Sequence, residues 1–252
     1  MLRNERHARI FEHVSAHGSV SVEELAGILA VSAATVRRDL RHLDASKLLR
    51  RTHGGASLRN IGLETPMRYR SERRRPEKLA IARAAAALVP AKAVVGLNGG
   101  STTTEIARLL ADRGPVTIVT NAVNIAAELL PHQDVTLVVI GGTARNESYE
   151  LVRSIAEKPL AEYYTDVTFL GVDGISATHG CTTHDQVEAV TDRAFTDRSS
   201  RTVVVADNSK IGKVTLARIC PLSAIAHLVT DHDAPKDELA RITDAGVLVT
   251  VA

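Results

Sequence analysis

Three arginines lie on one face of a helix that we predict near the start of the chain. Arg37, Arg38 and Arg41 are spaced so that they share this face with the short side chain of Ala34. The opposite face is apolar and consists of Val36, Leu40 and Leu43. Guanidinium groups pair with DNA phosphates and with guanine edges in the major groove, so this pattern predicts a DNA-reading helix. A solvated surface helix is the alternative for an arginine-rich face taken alone.

The elements before this helix would hold it in place. Apolar residues recur at helical spacing over residues 4–17, and Gly18 ends that pattern. Ser21 and Glu24 then form a capping box at the start of a second helix. The buried face of that helix is predicted to be Leu25, Ile28 and Leu29. After a short turn at residues 30–31, Ser32 can cap the arginine-bearing helix, which completes a helix-turn-helix.

A short hairpin follows the helix-turn-helix. Residues 47–56 alternate in polarity and contain Gly54–Gly55, which predicts a β-wing with a Gly-Gly turn. Side chains at the tip of such a wing reach the DNA backbone or the minor groove. The predicted DNA contacts from the helix and the wing are Ser32, Ala34, Thr35, Arg37, Arg38, Arg41, Arg50, Arg51 and His53.

Three segments of this region resemble the signature of DeoR-type bacterial regulators. They are Val31–Ser32, Thr35–Leu40 and Arg51–Ala56, and they occur in the expected order. The resemblance covers residues 3–58 and, more diffusely, 78–231. It implies sequence-specific binding to double-stranded operator DNA, usually repression that a phosphorylated sugar releases. It also implies a sensor domain similar in fold to ribose phosphate isomerases and glucosamine phosphate deaminases.

The charge of the chain divides unevenly along its length. Residues 1–75 hold 15 Lys and Arg against 8 Asp and Glu, and the remainder holds 16 against 21. This favours a polyanion-binding module at residues 1–58, a linker at 59–77 and a separate domain at 78–252. The linker carries Gly62, Pro66, Pro76 and the run Arg73–Arg75, which we expect to be a solvated hinge or a nonspecific contact to DNA phosphates. With two cysteines, no charged-then-apolar leader and no long apolar run, a cytoplasmic protein is expected.

The larger part of the chain alternates helical stretches with short β-rich runs. Such alternation predicts an α/β domain with a mainly parallel sheet covered by helices on both faces. Ligands in these folds bind beyond the carboxyl ends of the strands. The predicted strands are 93–97, 116–120, 135–140, 167–172, 201–206, 227–230 and 247–251.

The loop after the first of these strands has the composition of a phosphate cradle. Asn98–Thr104 combines two glycines with four hydroxyl side chains and opens a helix, whose amino end offers free N–H donors and a positive dipole end. An ordinary glycine turn with a capping hydroxyl is the alternative. The chain has no Walker lysine and no G-x-G-x-x-G there, which argues against nucleotide hydrolysis and dinucleotide binding.

Four further strand-end loops carry candidate ligands. Lys210 is a cation for a phosphate, and Asp173 is an acceptor for sugar hydroxyls. No cofactor is expected. The predicted effector contacts are Asn98, Gly99, Gly100, Ser101, Thr102, Thr103, Thr120, Asn121, Gly141, Gly142, Asp173, Glu188 and Lys210.

Two other functions compete with a sensor. A sugar phosphate isomerase or deaminase needs a carboxylate base, and Glu188 lies where this group of folds carries an acidic residue. The DeoR pattern commonly has a lysine shortly after that glutamate, whereas Asp192 stands there, so we expect no enzyme. A zinc site would use His179, Cys181, His184 and Asp185, but their spacing matches no standard site. We expect a polar loop beside the effector pocket instead, in which His184 and Asp185 are candidate ligand contacts.

Two DNA half-sites imply a homo-oligomer, a dimer or a tetramer.

Overall fold

The computed structural model describes residues 2–46, 48–58, 65–71, 73–153, 160 and 162–252. The chain divides into two compact units, Met1–Arg73 and Arg74–Ala252.

The N-terminal unit is a winged helix-turn-helix. Its three strands form one antiparallel sheet in the order β1-β3-β2. The elements are α1 (Arg3–His17), β1 (Ser19–Ser21), α2 (Val22–Leu29), α3 (Ala33–Ala45), β2 (Leu49–Thr52), β3 (Gly55–Leu58) and α4 (Met67–Arg70).

Local signals set the ends of these helices as the sequence predicts. The Ser21 hydroxyl accepts a hydrogen bond from the Glu24 amide at 3.1 Å, and the Ser32 hydroxyl accepts one from the Thr35 amide at 3.2 Å. Ala30 ends α2 in the left-handed conformation with φ of 52°, which produces the short turn. The prediction that Ile28 belongs to the buried face of α2 is wrong. Ile28 is 44 % exposed, because α2 turns Val22, Leu25 and Leu29 toward the core instead.

The wing differs from its prediction in the position of the turn. Residues 53–54 form the turn, and Gly55 is already in β3, where it pairs with Thr52. A Cβ on Gly55 would lie 1.8 Å from the Val20 carbonyl oxygen, so glycine is required there by the close approach of β1. Strand β1 is only three residues long, and the sequence analysis missed it.

Part of the predicted linker is folded. Helix α4 buries Met67 and Tyr69, and Tyr69 packs into the core of the N-terminal unit. The helix that opens the C-terminal unit begins at Arg75, with Pro76 in its first turn. A single turn of helix shows too few residues for apolar periodicity to reveal it, which explains the prediction of a linker. Gly62 lies outside the described residues.

The C-terminal unit contains a seven-stranded parallel sheet. Its strand order is β15-β14-β12-β9-β4-β5-β6. All seven predicted β-rich runs are strands of this sheet, and the predicted α/β class is confirmed. The elements are α5 (Arg75–Ala86), β4 (Val94–Leu97), α6 (Ser101–Ala111), β5 (Val116–Thr120), α7 (Val123–Leu129), β6 (Val135–Val139), β7 (Thr143–Ala144), β8 (Leu151–Val152), β9 (Val167–Gly171), β10 (Gly174–Ser176), β11 (Gly180–Thr183), α8 (Gln186–Asp197), β12 (Thr202–Val205), β13 (Ala217–Cys220), β14 (His227–Thr230), α9 (Lys236–Asp244) and β15 (Leu248–Val251).

Both faces of the sheet are covered by apolar residues. Phe169 and Val203 pack with Ile81 of α5 and Ile106 of α6 on one face. The neighbouring strand positions face the other way, so that residues such as Leu170 join a second core. Two small antiparallel sheets, β10-β11-β13 and β7-β8, are additions that the sequence analysis did not foresee. No helix among the described residues is long and apolar enough to cross a membrane.

Candidate DNA-binding surface and effector site

The predicted reading face of α3 is exposed. Arg37, Arg38 and Arg41 all face solvent, and so does Ala34. Arg37 lies 3.9 Å from Glu23 on α2, an exposed pair that restrains the guanidinium only weakly. Ser32 and Thr35, predicted as DNA contacts, are also hydrogen-bonded to each other at the amino end of α3.

The wing and α3 together line one groove. Arg51–Gly55 forms one wall, and Val22, Glu23, Arg37 and Leu40 form the other. Arg50 and Arg51 are consecutive in β2 and therefore project to opposite faces of the strand. The structure thus brings Arg51 and His53 together with Arg37, while Arg50 is not among the residues that line this groove.

A buried carboxylate that the sequence analysis missed fixes α3 against α1. Asp39 accepts hydrogen bonds from Arg6 Nε at 2.5 Å and Arg6 Nη2 at 3.1 Å, and its Oδ1 lies 2.9 Å from His7 Nε2. Burial alone would raise the pKa of Asp39, but the hydrogen bonds from Arg6 and His7 outweigh it and lower that pKa. The sequence does contain a signal for this buried carboxylate, because Asp39 stands three positions after Val36, on the apolar side of a helix whose other face is basic.

Asn98, the first predicted effector contact, is part of the scaffold. Its Oδ1 accepts from the Gly171 amide at 2.8 Å, and its Nδ2 donates to the Gly171 carbonyl and to Asp192 Oδ1, both at 3.0 Å. These bonds tie the ends of β4 and β9 together. The amide of Asn98 therefore holds the loop and is already committed to protein partners.

One glycine of this loop, Gly100, has a backbone conformation that other residues rarely adopt. Gly100 has φ of 149° and ψ of 155°, which only glycine adopts readily, and it is followed at once by α6. Its carbonyl oxygen accepts the hydroxyls of Thr103 and Thr104 at 3.0 and 2.7 Å. The hydroxyl protons of these threonines are thus used inside the helix, and donors for a ligand must come from the backbone and from Ser101 and Thr102.

Two other predicted loops hold a strap, which we define as residues 141–152 with strands β7 and β8. Asn121 Nδ2 donates to the Leu151 carbonyl at 3.2 Å and to Glu150 Oε2 at 3.3 Å. Thr120 Oγ1 accepts from the Ala122 amide at 3.1 Å. Gly142 lies so close to β8 that a Cβ would be 2.7 Å from the Val152 carbonyl oxygen. The Asn121 contacts fasten the strap to the carboxyl end of β5, and the close approach of Gly142 to β8 holds the two ends of the strap together, whereas Gly141 has open space around it.

A chain of charged side chains runs along the same edge of the sheet. Lys210 Nζ lies 2.9 Å from Asp173 Oδ1. The Thr183 hydroxyl lies 3.2 Å from Asp173 Oδ2 and 3.1 Å from Glu188 Oε2. Arg145, on the strap, pairs with Glu188 and lies 3.6 Å from Asp185. The structure therefore assembles the predicted Asp173, Glu188 and Lys210, and it adds Arg145 and Thr183.

Asp192, four positions after Glu188 on α8, is only 2 % exposed. Burial, reinforced by the negative charge of Glu188, raises the pKa of Asp192 well above its usual range, although the hydrogen bond from Asn98 opposes the shift. A carboxyl at this position supplies no cation to the site.

The segment from His179 to Asp185 has divided structural roles. His179 Nδ1 lies 2.7 Å from Thr178 Oγ1, and buried Cys181 pairs across the small sheet with Cys220. The Asp185 carboxylate caps α8 by accepting from the amides of residues 187 and 188 at 2.8 and 3.0 Å. The His184 amide donates to Asp173 at 3.4 Å. Within the described part of the chain, no three His, Cys, Asp or Glu side chains are grouped to hold a metal ion.

Comparisons with known proteins identify both units. Residues 6–61 match the DeoR-like helix-turn-helix domain, and residues 73–232 match the DeoR C terminal sensor domain. A putative aga operon transcriptional repressor of Escherichia coli O157:H7 is 33 % identical, over 98 % of this chain and 93 % of that protein. The glycerol-3-phosphate regulon repressor of Escherichia coli strain K12 is 30 % identical, over 97 % of each.

Among solved structures, ribose 5-phosphate isomerase A of Methanocaldococcus jannaschii aligns with a TM-score of 0.40 and 22 % identity, over 53 % of this chain and 52 % of the other. The family matches and the two repressors agree over nearly the whole length, and both describe regulators. The chain belongs to the DeoR family and is a DNA-binding transcriptional regulator, not an enzyme.

Proposed function

We propose that this chain represses a sugar-metabolism operon and leaves its operator when a phosphorylated sugar binds beyond the strand ends of the C-terminal unit. The observation that carries this proposal is that one chain holds both an exposed arginine face on α3 and a glycine loop at the amino end of α6. The relatives named for the aga operon and the glycerol-3-phosphate regulon support the same class of regulated gene.

On the operator, α3 lies in the major groove and the wing contacts the adjacent backbone. Arg37, Arg38 and Arg41 read bases or phosphates, and Arg51 with His53 extends the contact from the wing. Two or more subunits of a cytoplasmic homo-oligomer occupy successive half-sites. The DNA-binding domain is the N-terminal unit, whose core includes Tyr69 of α4, and the sensor is the C-terminal unit, which α5 opens at Arg75.

In the effector site, the phosphate lies at Gly99–Gly100 and the first turn of α6. The helix dipole and the free amides of that turn favour an anion. Asp173 and Glu188 accept hydrogen bonds from sugar hydroxyls. Lys210 turns from Asp173 to the phosphate, so effector binding exchanges an existing ion pair for a new one.

Operator binding is tested by fluorescence anisotropy on the upstream region of the chain's own gene cluster. If two subunits neutralise about 6 to 10 phosphates, affinity should fall roughly a thousandfold or more between about 50 and 200 mM salt. Arg38→Ala should reduce discrimination between operator and random DNA, whereas Arg51→Ala should weaken both alike. Binding that ignores salt, or identical behaviour of the two variants, contradicts these roles.

Sensing is tested with Lys210→Ala and a panel of sugar phosphates. The variant should keep its operator affinity and lose release by the effector that acts on the unaltered protein. Lys236→Ala removes the same charge from the exposed start of α9 and should respond normally. Loss of operator binding in Lys210→Ala would show that this lysine serves the fold instead.

A further inference from the structure

Glu150 places a carboxylate in the loop where the effector phosphate is proposed to bind. The residue is 4 % exposed, and it lies on the strap beside strand β8. A Cβ built on Gly99 would lie 2.3 Å from both Cγ and Oε1 of Glu150, and 2.7 Å from its Cδ. The missing side chain of Gly99 is therefore what admits this carboxylate to the cradle.

The backbone of the strap holds Glu150 in that position. Glu150 pairs with Ala122 in an isolated antiparallel bridge, and the Leu151 amide donates to the Asn121 carbonyl at 2.7 Å. On the other side, the Tyr149 carbonyl accepts from the Val123 amide at 2.9 Å. Tyr149 has φ of 65°, a left-handed conformation that a tyrosine adopts at a cost. The chain thus bends sharply just before Glu150 and is fixed on both sides of it.

The amino end of α6, which begins two residues after Gly99, is favourable for an anion, and the Glu150 carboxylate lies beside Gly99. The first intrahelical bond of α6 runs from the Thr104 amide to the Gly100 carbonyl, so the preceding amides lie outside the helical ladder. Those amides and the aligned peptide dipoles attract negative charge. Asn121 Nδ2, at 3.3 Å from Oε2, adds a donor to the same carboxylate. A phosphate and the Glu150 carboxylate would seek the same environment.

We infer that Glu150 is an internal anion that closes the effector loop and that an incoming phosphate must displace. The inference rests on the phosphate position given under the proposed function. Two negative groups against one small loop repel each other, and Glu150 already fills the space that a side chain on Gly99 would take. Glu150 thereby sets the effector concentration at which the sensor responds.

The strap also gives this displacement a structural consequence. Its Arg145 pairs with Glu188 and lies near Asp185, which caps α8. A strap released at Glu150 stays tethered to α8 through Arg145. When the effector displaces the Glu150 side chain, it therefore acts on the strap, which joins the carboxyl end of β5 to α8.

The opposite role for Glu150 makes the opposite prediction. If its carboxylate accepted hydrogen bonds from effector hydroxyls, then neutralising it would weaken binding of the sugar and leave binding of a bare phosphate unchanged. Inorganic phosphate, which has no such hydroxyl pattern, is therefore the probe that separates the two roles.

The experiment is calorimetric titration of the full chain with inorganic phosphate. Glu150→Gln keeps the size of the side chain and the contact with Asn121 but removes the charge, and it should bind phosphate roughly tenfold tighter or more. Glu147→Gln removes the same charge from an exposed position on the same strap and should bind as the unaltered protein does. Equal or weaker binding by Glu150→Gln overturns the inference.

Three further measurements keep the outcome decisive. Glu150→Asp, which retains the charge but withdraws it by one methylene, should bind phosphate with intermediate affinity, and circular dichroism with thermal unfolding checks that each variant is folded. Hydrogen exchange of residues 98–104 reports whether phosphate occupies the loop. Protection of this loop with equal affinity in all variants refutes the role of Glu150 alone, whereas no protection in any variant refutes the proposed phosphate position as well.

Discussion

Replacing Asp39 by asparagine should loosen α3 while leaving every arginine of its exposed face in place. The carboxylate is held by two hydrogen bonds from Arg6 and a third contact with His7, all in the interior between α1 and α3. Asparagine has nearly the same shape, but it carries no charge and offers only one oxygen. Arg6 would then keep its charge without a carboxylate beside it.

The size of the effect follows from the burial of the pair. Removing one partner of a fully buried ion pair costs about 3 to 5 kcal/mol. The side chain of Arg6 is 14 % exposed and that of Asp39 is 3 % exposed, so water reaches one partner and reduces the loss. We therefore expect the free energy of unfolding of the N-terminal unit to fall by about 2 to 3 kcal/mol.

Hydrogen exchange with mass spectrometry measures this loss in each unit separately. Because about 1.4 kcal/mol corresponds to a factor of ten, peptides from α1 and α3 should lose about 30- to 150-fold in protection. Peptides from α8, in the other unit, should be unchanged. Asp44→Asn, which removes the same charge near the end of α3, is the matched control and should have a small effect.

Two results would refute this reasoning. Unchanged protection in Asp39→Asn would mean that the apolar core alone fixes α3. An equal loss in the Asp44→Asn control would mean that the charge of the helix matters and the buried contacts do not. Operator affinity measured on the same samples should fall in Asp39→Asn, because a loosened helix no longer presents its arginines in one arrangement.

Three further outcomes are expected. Gly55→Ala should unfold the wing and abolish operator binding, because the new Cβ would meet a backbone oxygen at 1.8 Å; circular dichroism should show the helices intact. Arg74→Ala should leave the salt dependence of operator binding unchanged, because Arg74 donates to Asn208 at 2.9 Å inside the C-terminal unit. Arg51→Ala should instead reduce the slope of log affinity against log salt concentration by about 1.8 for two subunits. Acid should destabilise the N-terminal unit. Burial lowers the pKa of His7, so the unfolded chain binds more protons than the folded one as the pH falls below about 6.5. The stability present above that pH should therefore be lost as the pH falls, and thermal unfolding of the isolated residues 1–73 would measure the loss.

The expectation for Arg74 corrects the sequence analysis. Arg73–Arg75 was predicted to be a hinge or a contact to DNA phosphates, because a basic run in a polar segment usually is one or the other. Arg73 instead lies 3.0 Å from Glu12 on α1, and Arg74 lies against the loop of Asn208 and Asp207. Neighbouring arginines are thus anchored in different units, and no local pattern distinguishes them.

The parts of the fold that sequence predicted well are those that depend on nearby residues. The Ser21 and Ser32 hydroxyls accept hydrogen bonds from amides only three residues further along the chain. The strand runs are apolar because both faces of the sheet are buried. Ile28 was misplaced because two positions on α2 satisfy helical spacing nearly equally well. Only the direction from which the rest of the core approaches decides between them.

Asn98 and Asn121, two of the predicted effector contacts, have structural roles that the sequence did not reveal. Asn98 and Asn121 follow strands, as ligand-binding residues do, yet their partners are Gly171 and Leu151, 73 and 30 positions away in the sequence. An asparagine that ties two loops together and one that binds a ligand have the same side chain and the same place after a strand. Distinguishing them requires the long-range pairing, which the sequence does not contain.

The site in this conformation is balanced internally, and that balance bears on how an effector acts. Lys210 is paired with Asp173, Arg145 is paired with Glu188, and the α6 loop is filled by Glu150. An effector phosphate added to a site with free cations would need no rearrangement, and its binding energy would have no reason to alter the protein. In the proposed site, by contrast, an effector contact with Lys210, with Arg145 or beside Gly99 requires breaking a contact within the protein, and the strap takes part in two of these three contacts. In that proposal, binding and a change in the strap are linked by the same atoms, which is the condition for a sensor.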